Sequence, residues 1–303
     1  MTSWSEKVCT PGETELKSAG DSKRQGYAAV AQPAMLKVES IGHRFPRTSN
    51  PVLENVSLDV PRGGFVTLIG PSGCGKTSLL RIVAGLLEPT GGGAIFLDGE
   101  LSAGPSPEKA MVFQQFHLFP WRTALANIAY GLELQGMKKR ERLQQARKYL
   151  GLVGLDRFAD YYPRELSGGM QQRVGLGRAL ATEPKMLLMD EPFGALDALT
   201  REHLQGELER ICRSANATVL FVTHSIDEAI YLSDQVHVMA SNPGRIVASI
   251  DVELPRPRAD YQIRSDPLFA ELHDRVWSQL QTELGPAHEQ LFDNGSSSKM
   301  DGE

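Results

Sequence analysis

Residues 70–77 read Gly70-Pro71-Ser72-Gly73-Cys74-Gly75-Lys76-Thr77, the spacing G-x-x-x-x-G-K-[ST] of a phosphate-binding loop. An apolar, β-prone run, Phe65-Val66-Thr67-Leu68-Ile69, precedes it, and Ser78-Leu79-Leu80-Arg81-Ile82-Val83-Ala84 has helical composition. Strand, Gly-rich turn and helix is the setting this pattern needs. Glycines let successive backbone N–H groups curl around phosphate oxygens, and the helix start adds a positive dipole end. Lys76 then reaches the outer phosphates, and the Thr77 hydroxyl is placed to bind Mg²⁺. Cys74, at a helix start beside Lys76, is expected to be a reactive thiol.

A second set of chemical groups follows apolar runs. Residues 186–189 lead into Asp190-Glu191, and residues 219–222 into Thr223-His224. With 65–69 these are three short runs without polar alternation, as in parallel strands buried on both faces. Ligands of such sheets bind beyond the carboxyl ends of the strands. Asp190 is placed to hold Mg²⁺ through water, and Glu191 to polarise an attacking water as general base. Leu166-Ser167-Gly168-Gly169-Met170-Gln171-Gln172-Arg173 reads as a helix capped by Ser167, whose glycines expose N–H groups to a further phosphate surface. Gly175 and Gly177 inside that helix cost about 1 kcal/mol each relative to Ala.

Taken in order, these motifs resemble an ATP-binding cassette (ABC) ATPase over about residues 35–250. The carriers are the phosphate loop, the signature stretch 166–173, Asp190-Glu191, Ala195-Leu196-Asp197, and His224 after Phe221-Val222-Thr223. The resemblance implies an α/β, P-loop NTPase core with an inserted helical subdomain and a small antiparallel β part. It implies a head-to-tail homodimer on ATP binding, with each ATP between one subunit's loop and the other's signature helix. ATP would be held by Gly70, Pro71, Ser72, Gly73, Cys74, Gly75, Lys76, Thr77 and Ser78, and in trans by Ser167, Gly168 and Gly169. Gln114 matches the glutamine that touches Mg²⁺ and the water and links to the membrane partner. Asp197 matches the dimer contact, and His224 the histidine that orients the γ-phosphate and Glu191. Phe45 is the expected aromatic against adenine, with His43 as the alternative. Catalysis would rest on Glu191, His224, Lys76 and Gln114, and Mg²⁺ on Thr77, Gln114 and Asp190. Ser225 stands where the family has an acid; Ser225-Ile226-Asp227-Glu228 reads as a capping box.

The stretch 116–122, Asp190-Glu191-Pro192-Phe193-Gly194-Ala195-Leu196-Asp197 and Ser241-Asn242-Pro243-Gly244-Arg245-Ile246 look like the ATPases of nitrate, sulfonate and taurine importers. That implies two permease subunits docking near Phe116, Phe119 and Trp121, an extracytoplasmic substrate-binding protein, and a peripheral place on the cytoplasmic face of the inner membrane. The alternatives are an exporter-type ABC ATPase and a soluble, non-transport one.

The elements that must position these groups set the remaining expectations. The 303 residues carry 41% hydrophobic and 23% charged residues and a net charge of −5, so bulk electrostatics argues against a nucleic-acid binder. Three scattered cysteines support neither a disulfide framework nor a zinc site. No apolar run has the length of a membrane span, and the first residues lack the apolar stretch of a signal peptide. Residues 1–33 read as a disordered tail and 34–252 as the ATPase domain. Within it, 115–165 is a helical subdomain with helices over 123–134 and 138–151. Residues 253–303 read as a C-terminal extension with one helix near Pro267–Leu284 and a polar tail.

Overall fold

The computed structural model describes residues 34–46, 48–114, 117–194, 198–258 and 262–284. The expected tail 1–33, Phe116 and Asp197 lie outside the described residues. A six-stranded sheet forms the centre. Its order is β10 (Arg245–Asp251), β9 (Gln235–Ala240), β3 (Phe65–Ile69), β8 (Val219–Thr223), β7 (Met186–Asp190), β6 (Lys109–Val112). All neighbours are parallel except β10, which runs antiparallel to β9. A second, antiparallel sheet has the order β2 (Leu53–Pro61), β1 (Ala34–His43), β4 (Ala94–Leu97), β5 (Glu100–Leu101).

The missing polar alternation in β3, β7 and β8 has a direct cause. Successive strand residues point to opposite faces, and here both faces are covered. Phe65, Ile69, Leu187, Met189, Val219 and Phe221 enter one apolar layer, shared with the helices that cover that face. Val66, Leu68, Met186, Leu188, Leu220 and Val222 enter the other, shared with β1, β2 and helix α1 (Lys76–Ala84). Each such side chain contributes about 1.5–3 kcal/mol on burial, so the strands are held rigidly from both sides.

The insertion between β6 and β7 is helical. It contains α2 (Ala124–Ile128), α3 (Tyr130–Leu134), α4 (Lys139–Leu152) and α5 (Gly168–Ala181). The single helix expected over 123–134 is two, because Ala129 closes α2 with ψ −12° and opens α3. Gly177 has a packing reason: a Cβ there would lie 3.0 Å from Ile128 Cδ1 and 3.6 Å from Val153 Cγ1. Its absence lets α5 approach α2 closely.

Helix α6 (Ala198–Ser214) precedes β8, and α7 (Ile226–Leu232) follows it. Beyond β10, Arg256 and Arg258 tie the chain back to the core before α8 (Pro267–Leu284). The almost fully buried Arg258 donates to the carbonyls of Ile230, Tyr231 and Ser233, each at 2.8 Å. These are the carbonyls that the end of α7 leaves unpaired.

Candidate functional site

Three of the parallel strands deliver their C-terminal ends to one place, as the run composition predicts. β3 passes into the loop at Gly70, and α1 begins at Lys76 after Gly75. Gly75 has φ +98°, and a Cβ there would meet Leu53 Cδ2 at 2.6 Å. Only glycine makes this turn. The buried Lys76 curls back, its Nζ donating to Gly70 O at 2.7 Å and Pro71 O at 3.0 Å. The ammonium is thus held within the arch of its own loop, on two backbone carbonyls that a phosphate oxygen can replace.

From β7, Asp190 accepts a hydrogen bond from the Thr77 hydroxyl at 2.9 Å. Burial pushes the Asp190 carboxyl above its ordinary range, the Thr77 hydroxyl opposes this, and the neighbouring Glu191 charge adds to it. Glu191 follows with φ +45°, a left-handed conformation unusual outside glycine. This turns its carboxylate out of the sheet toward the loop. From β8, His224 Nδ1 lies 3.2 Å from Glu191 Oε2, on the exposed rim.

Phe45, Val52, Ser72, Gly73, Gly75, Lys76, Thr77, Ser78 and Glu191 line one open cleft of about 390 Å³. Phe45 shows its ring at the mouth. His43 is buried behind it, the rings meeting edge to face at 4.7 Å. Of the two aromatic candidates, Phe45 alone offers a face to the cleft. Gln114 lies against the segment that follows Glu191, where a Cβ on Gly194 would meet its Nε2 at 2.9 Å, and it does not line this cleft.

Ser167, Gly168 and Gly169 are not brought to this cleft. Ser167 accepts from Met170 N at 3.3 Å and caps α5, and Ser167 and Gly168 are exposed. The side chain of Gln171 steadies the segment by donating to Pro163 O and Leu166 O. The first turn of α5 therefore presents its free N–H groups to the outside rather than to its own chain's loop.

One expectation is overturned. Cys74 is 1% exposed, and desolvation pushes its thiol pKa up despite the Lys76 charge. Burial outweighs the cation, so this is a packed loop residue and not a reactive thiolate. A second is altered. Ser225 does cap α7, accepting from Glu228 N at 3.3 Å, but the Glu228 carboxylate does not return to the Ser225 amide. It turns inward to the Thr223 hydroxyl, at 2.5 Å, and Thr223 Oγ1 accepts the Ser225 N–H at 3.0 Å.

Some residues that shape the site carry no sequence signal strong enough to find them. Fully buried Asn127 fixes the loop before α2: it accepts from Phe119 N at 2.8 Å and donates to the carbonyls of Phe119, Arg122 and Thr123. The Phe119 ring packs at a tilt of 59° against Tyr130, 4.5 Å between centroids, whereas Trp121 beside it is 71% exposed.

Comparison with known proteins shows the family. The family model described as ABC transporter matches residues 53–194. An ABC transporter ATP-binding protein of Methanocaldococcus jannaschii, MJ0412, is 49% identical over 251 residues, covering 82% of this chain and 92% of that protein. The taurine import ATP-binding protein TauB of Rhizobium johnstonii is 48% identical over 250 residues, covering 80% and 95%. Among solved structures, the dimeric post-hydrolysis state of the ATP-binding cassette MJ0796 bound to ADP and Pi superposes with a TM-score of 0.62 at 32% identity, covering 72% of this chain and 99% of that one. CbiO1 of Clostridium perfringens, part of the transporter complex cbiONQ, shares the fold at 22% identity with a TM-score of 0.67, covering 86% and 99%.

Proposed function

This chain belongs to the family of ABC transporter ATP-binding proteins and is an ATP-binding ABC-type ATPase, and from that premise we propose that it powers import of a small anion of the taurine or sulfonate class. The observation that carries the mechanism is the incomplete cleft. One chain gathers Phe45, the phosphate loop, Thr77–Asp190 and Glu191–His224 around one opening. The start of α5, exposed at Ser167 and Gly168, is not among the residues that line that opening. A second copy placed head to tail would bring its Ser167, Gly168 and Gly169 onto the γ-phosphate of the first copy's ATP. Asp197 would stand at the same contact. The MJ0796 cassette, similar in fold and sequence, is dimeric in its ADP and Pi state.

In this reading, Phe45 stacks on adenine and the loop residues 70–78 wrap the phosphates. Lys76 exchanges its two carbonyl partners for phosphate oxygens, a stronger, charge-assisted contact. The Thr77 hydroxyl and the Asp190 carboxylate, already joined, are the hard oxygen donors Mg²⁺ prefers, with Gln114 as a further ligand. Mg²⁺ held there would offset phosphate charge. Glu191 accepts the proton of the attacking water, and His224 holds the Glu191 carboxylate in position and contacts the γ-phosphate.

The identity to a taurine import protein supports the importer assignment. Among the described residues no helix is long and apolar enough to cross a membrane. The likeness to a taurine import protein supports assigning the work of transport to two permease subunits, docked near Phe119 and Trp121, with a substrate-binding protein on the far side. The chain itself would lie against the cytoplasmic face of the membrane.

Glu191→Gln separates binding from chemistry. It should form a dimer with MgATP, seen as a doubled mass by light scattering, and turn over about 10²–10⁴-fold more slowly. Adding Ser167→Arg should abolish the dimer. Normal turnover by Glu191→Gln, or a chain that stays monomeric in saturating MgATP, would remove the basis of the reading. Vesicles holding the chain with its co-encoded permease should take up taurine or a related sulfonate only with ATP on the chain's side.

A further inference from the structure

Glu228 is a buried carboxylate that the proposed chemistry does not use. It is 5% exposed and lies on α7, one turn beyond His224. Its partners form a continuous chain. Glu228 Oε2 accepts from the Thr223 hydroxyl at 2.5 Å, and Thr223 Oγ1 accepts from Ser225 N at 3.0 Å. The residue between Thr223 and Ser225 is His224. On the other side, Glu228 Oε1 accepts from Gln205 Nε2 at 3.3 Å, with Arg201 Nε 3.8 Å away. Gln205 is 2% exposed, and its Oε1 accepts from Arg264 Nη2 at 2.9 Å. Arg264 lies beyond β10, where its guanidinium also pairs with Glu202 at 2.8 Å and stacks over the Tyr231 ring.

We propose that this relay, Arg264–Gln205–Glu228–Thr223, is the device that holds His224 against Glu191, so that Thr223 and Glu228 are positioning residues for hydrolysis and the segment after β10 is part of the catalytic support. The inference rests on the reading of Glu191 and His224 given above. Two features argue for positioning over simple filling. The Glu228 carboxylate passes over the Ser225 amide that a capping box would offer and takes the Thr223 hydroxyl, leaving that hydroxyl to hold the amide instead. The residues on either side of His224 are thereby tied to one buried point, Thr223 through its hydroxyl and Ser225 through its amide, while the imidazole, exposed on the rim, meets the Glu191 carboxylate. An exposed ring without such a hinge would sample other rotamers, and misplacement by about 1 Å can cost a large part of a catalytic effect.

The test is a double-mutant cycle in the full chain. Thr223→Val is isosteric and removes only the hydroxyl. It should lower kcat about tenfold with KM for ATP changed less than twofold, and Thr223→Ser, which restores the hydroxyl, should return kcat to within about twofold of the parent. In a His224→Ala background, Thr223→Val should have no further effect, because its influence runs through the imidazole. A Thr223→Val chain with parental kcat overturns the relay, as does a tenfold fall that persists in the His224→Ala background. Thr223→Ser as slow as Thr223→Val shows that restoring the hydroxyl does not restore the rate and also overturns it. If His224→Ala alone keeps parental turnover, the role of His224 fails and the relay with it. If His224→Ala is slow and only the Thr223 variants are normal, the site stands and the relay falls. Should Thr223→Val not fold, Arg264→Ala at the outer end carries the same test. A two- to threefold fall in kcat that vanishes in the His224→Ala background supports the relay, and parental kcat overturns it.

Discussion

Glu191 pairs a chemical role with an uncomfortable backbone, and the two can be separated by substitution. Its φ of +45° places an L-residue in the left-handed region, at a cost of about 1–2 kcal/mol. Glycine escapes that cost but loses about 0.5–1 kcal/mol through its freer unfolded chain. Comparing Glu191→Gly with Glu191→Ala removes the carboxylate, and its bond to His224, from both. What remains is the Cβ at positive φ. The net difference should favour Gly by about 0.5–1 kcal/mol. At about 2–4 °C per kcal/mol for a domain of this size, Glu191→Gly should melt about 1–4 °C above Glu191→Ala. Both should lose steady-state phosphate release to the same extent, since neither carries a base. The assay is a nucleotide-free thermal melt of each variant beside a phosphate-release measurement. If Ala melts equal to or above Gly, the strain is not present in the folded protein and the outward turn of Glu191 has another cause. If the two variants differ in turnover, the backbone rather than the carboxylate is acting.

Cys74 should label with maleimide, in a Cys9→Ser, Cys212→Ser background at pH 8, at least an order of magnitude more slowly in the native chain than in urea; equal rates would show that burial does not protect it. Burial pushes the His237 imidazole down to about 4, from 6.5, while its Nδ1 bonds Ser249 Oγ. The folded form therefore stays neutral while the unfolded chain takes up a proton below about pH 6.5, so stability is complete above that pH and falls as the pH drops toward 4. Between pH 7.5 and 5 the urea-unfolding free energy should lose about 2 kcal/mol, and His237→Gln should remove that part of the slope. Phe119→Ala should lower the unfolding free energy of the isolated chain by about 1.5–2.5 kcal/mol, because the ring packs on Tyr130 under Arg122. Trp121→Ala should stay within about 0.5 kcal/mol yet weaken capture of the co-encoded permease; the opposite pattern would make Trp121 the core residue and Phe119 the docking one.

The parts of the fold that show in the sequence are those where burial is complete. β3, β7 and β8 are covered on both faces and read as unbroken apolar runs. β9 is nearly as buried but carries Gln235 and His237, and β6 begins on Lys109 at the sheet edge, so neither has that signature. β5 is two residues long, below any periodicity. The split at Ala129 leaves composition unchanged, because it is a matter of one ψ angle.

For the site, sequence adjacency is a good guide to what is bonded along the chain and a poor guide to what surrounds it. The phosphate loop is legible because its geometry is local: positive-φ glycines, a helix start and one lysine. Cys74 misleads for the same reason, since its neighbour Lys76 is visible and the apolar layer that buries it is not. Ser225 to Glu228 has the spacing of a capping box, yet the carboxylate finds a stronger partner in a residue two places upstream of the cap. Thr223 is at that position because β8 ends there, and β8 ends beside the phosphate-loop strand. The hydroxyl that displaces the capping box is therefore set by the same strand end that delivers His224. Local motif and tertiary placement compete for one carboxylate, and tertiary placement takes it at the point where the proposed chemistry needs a fixed imidazole.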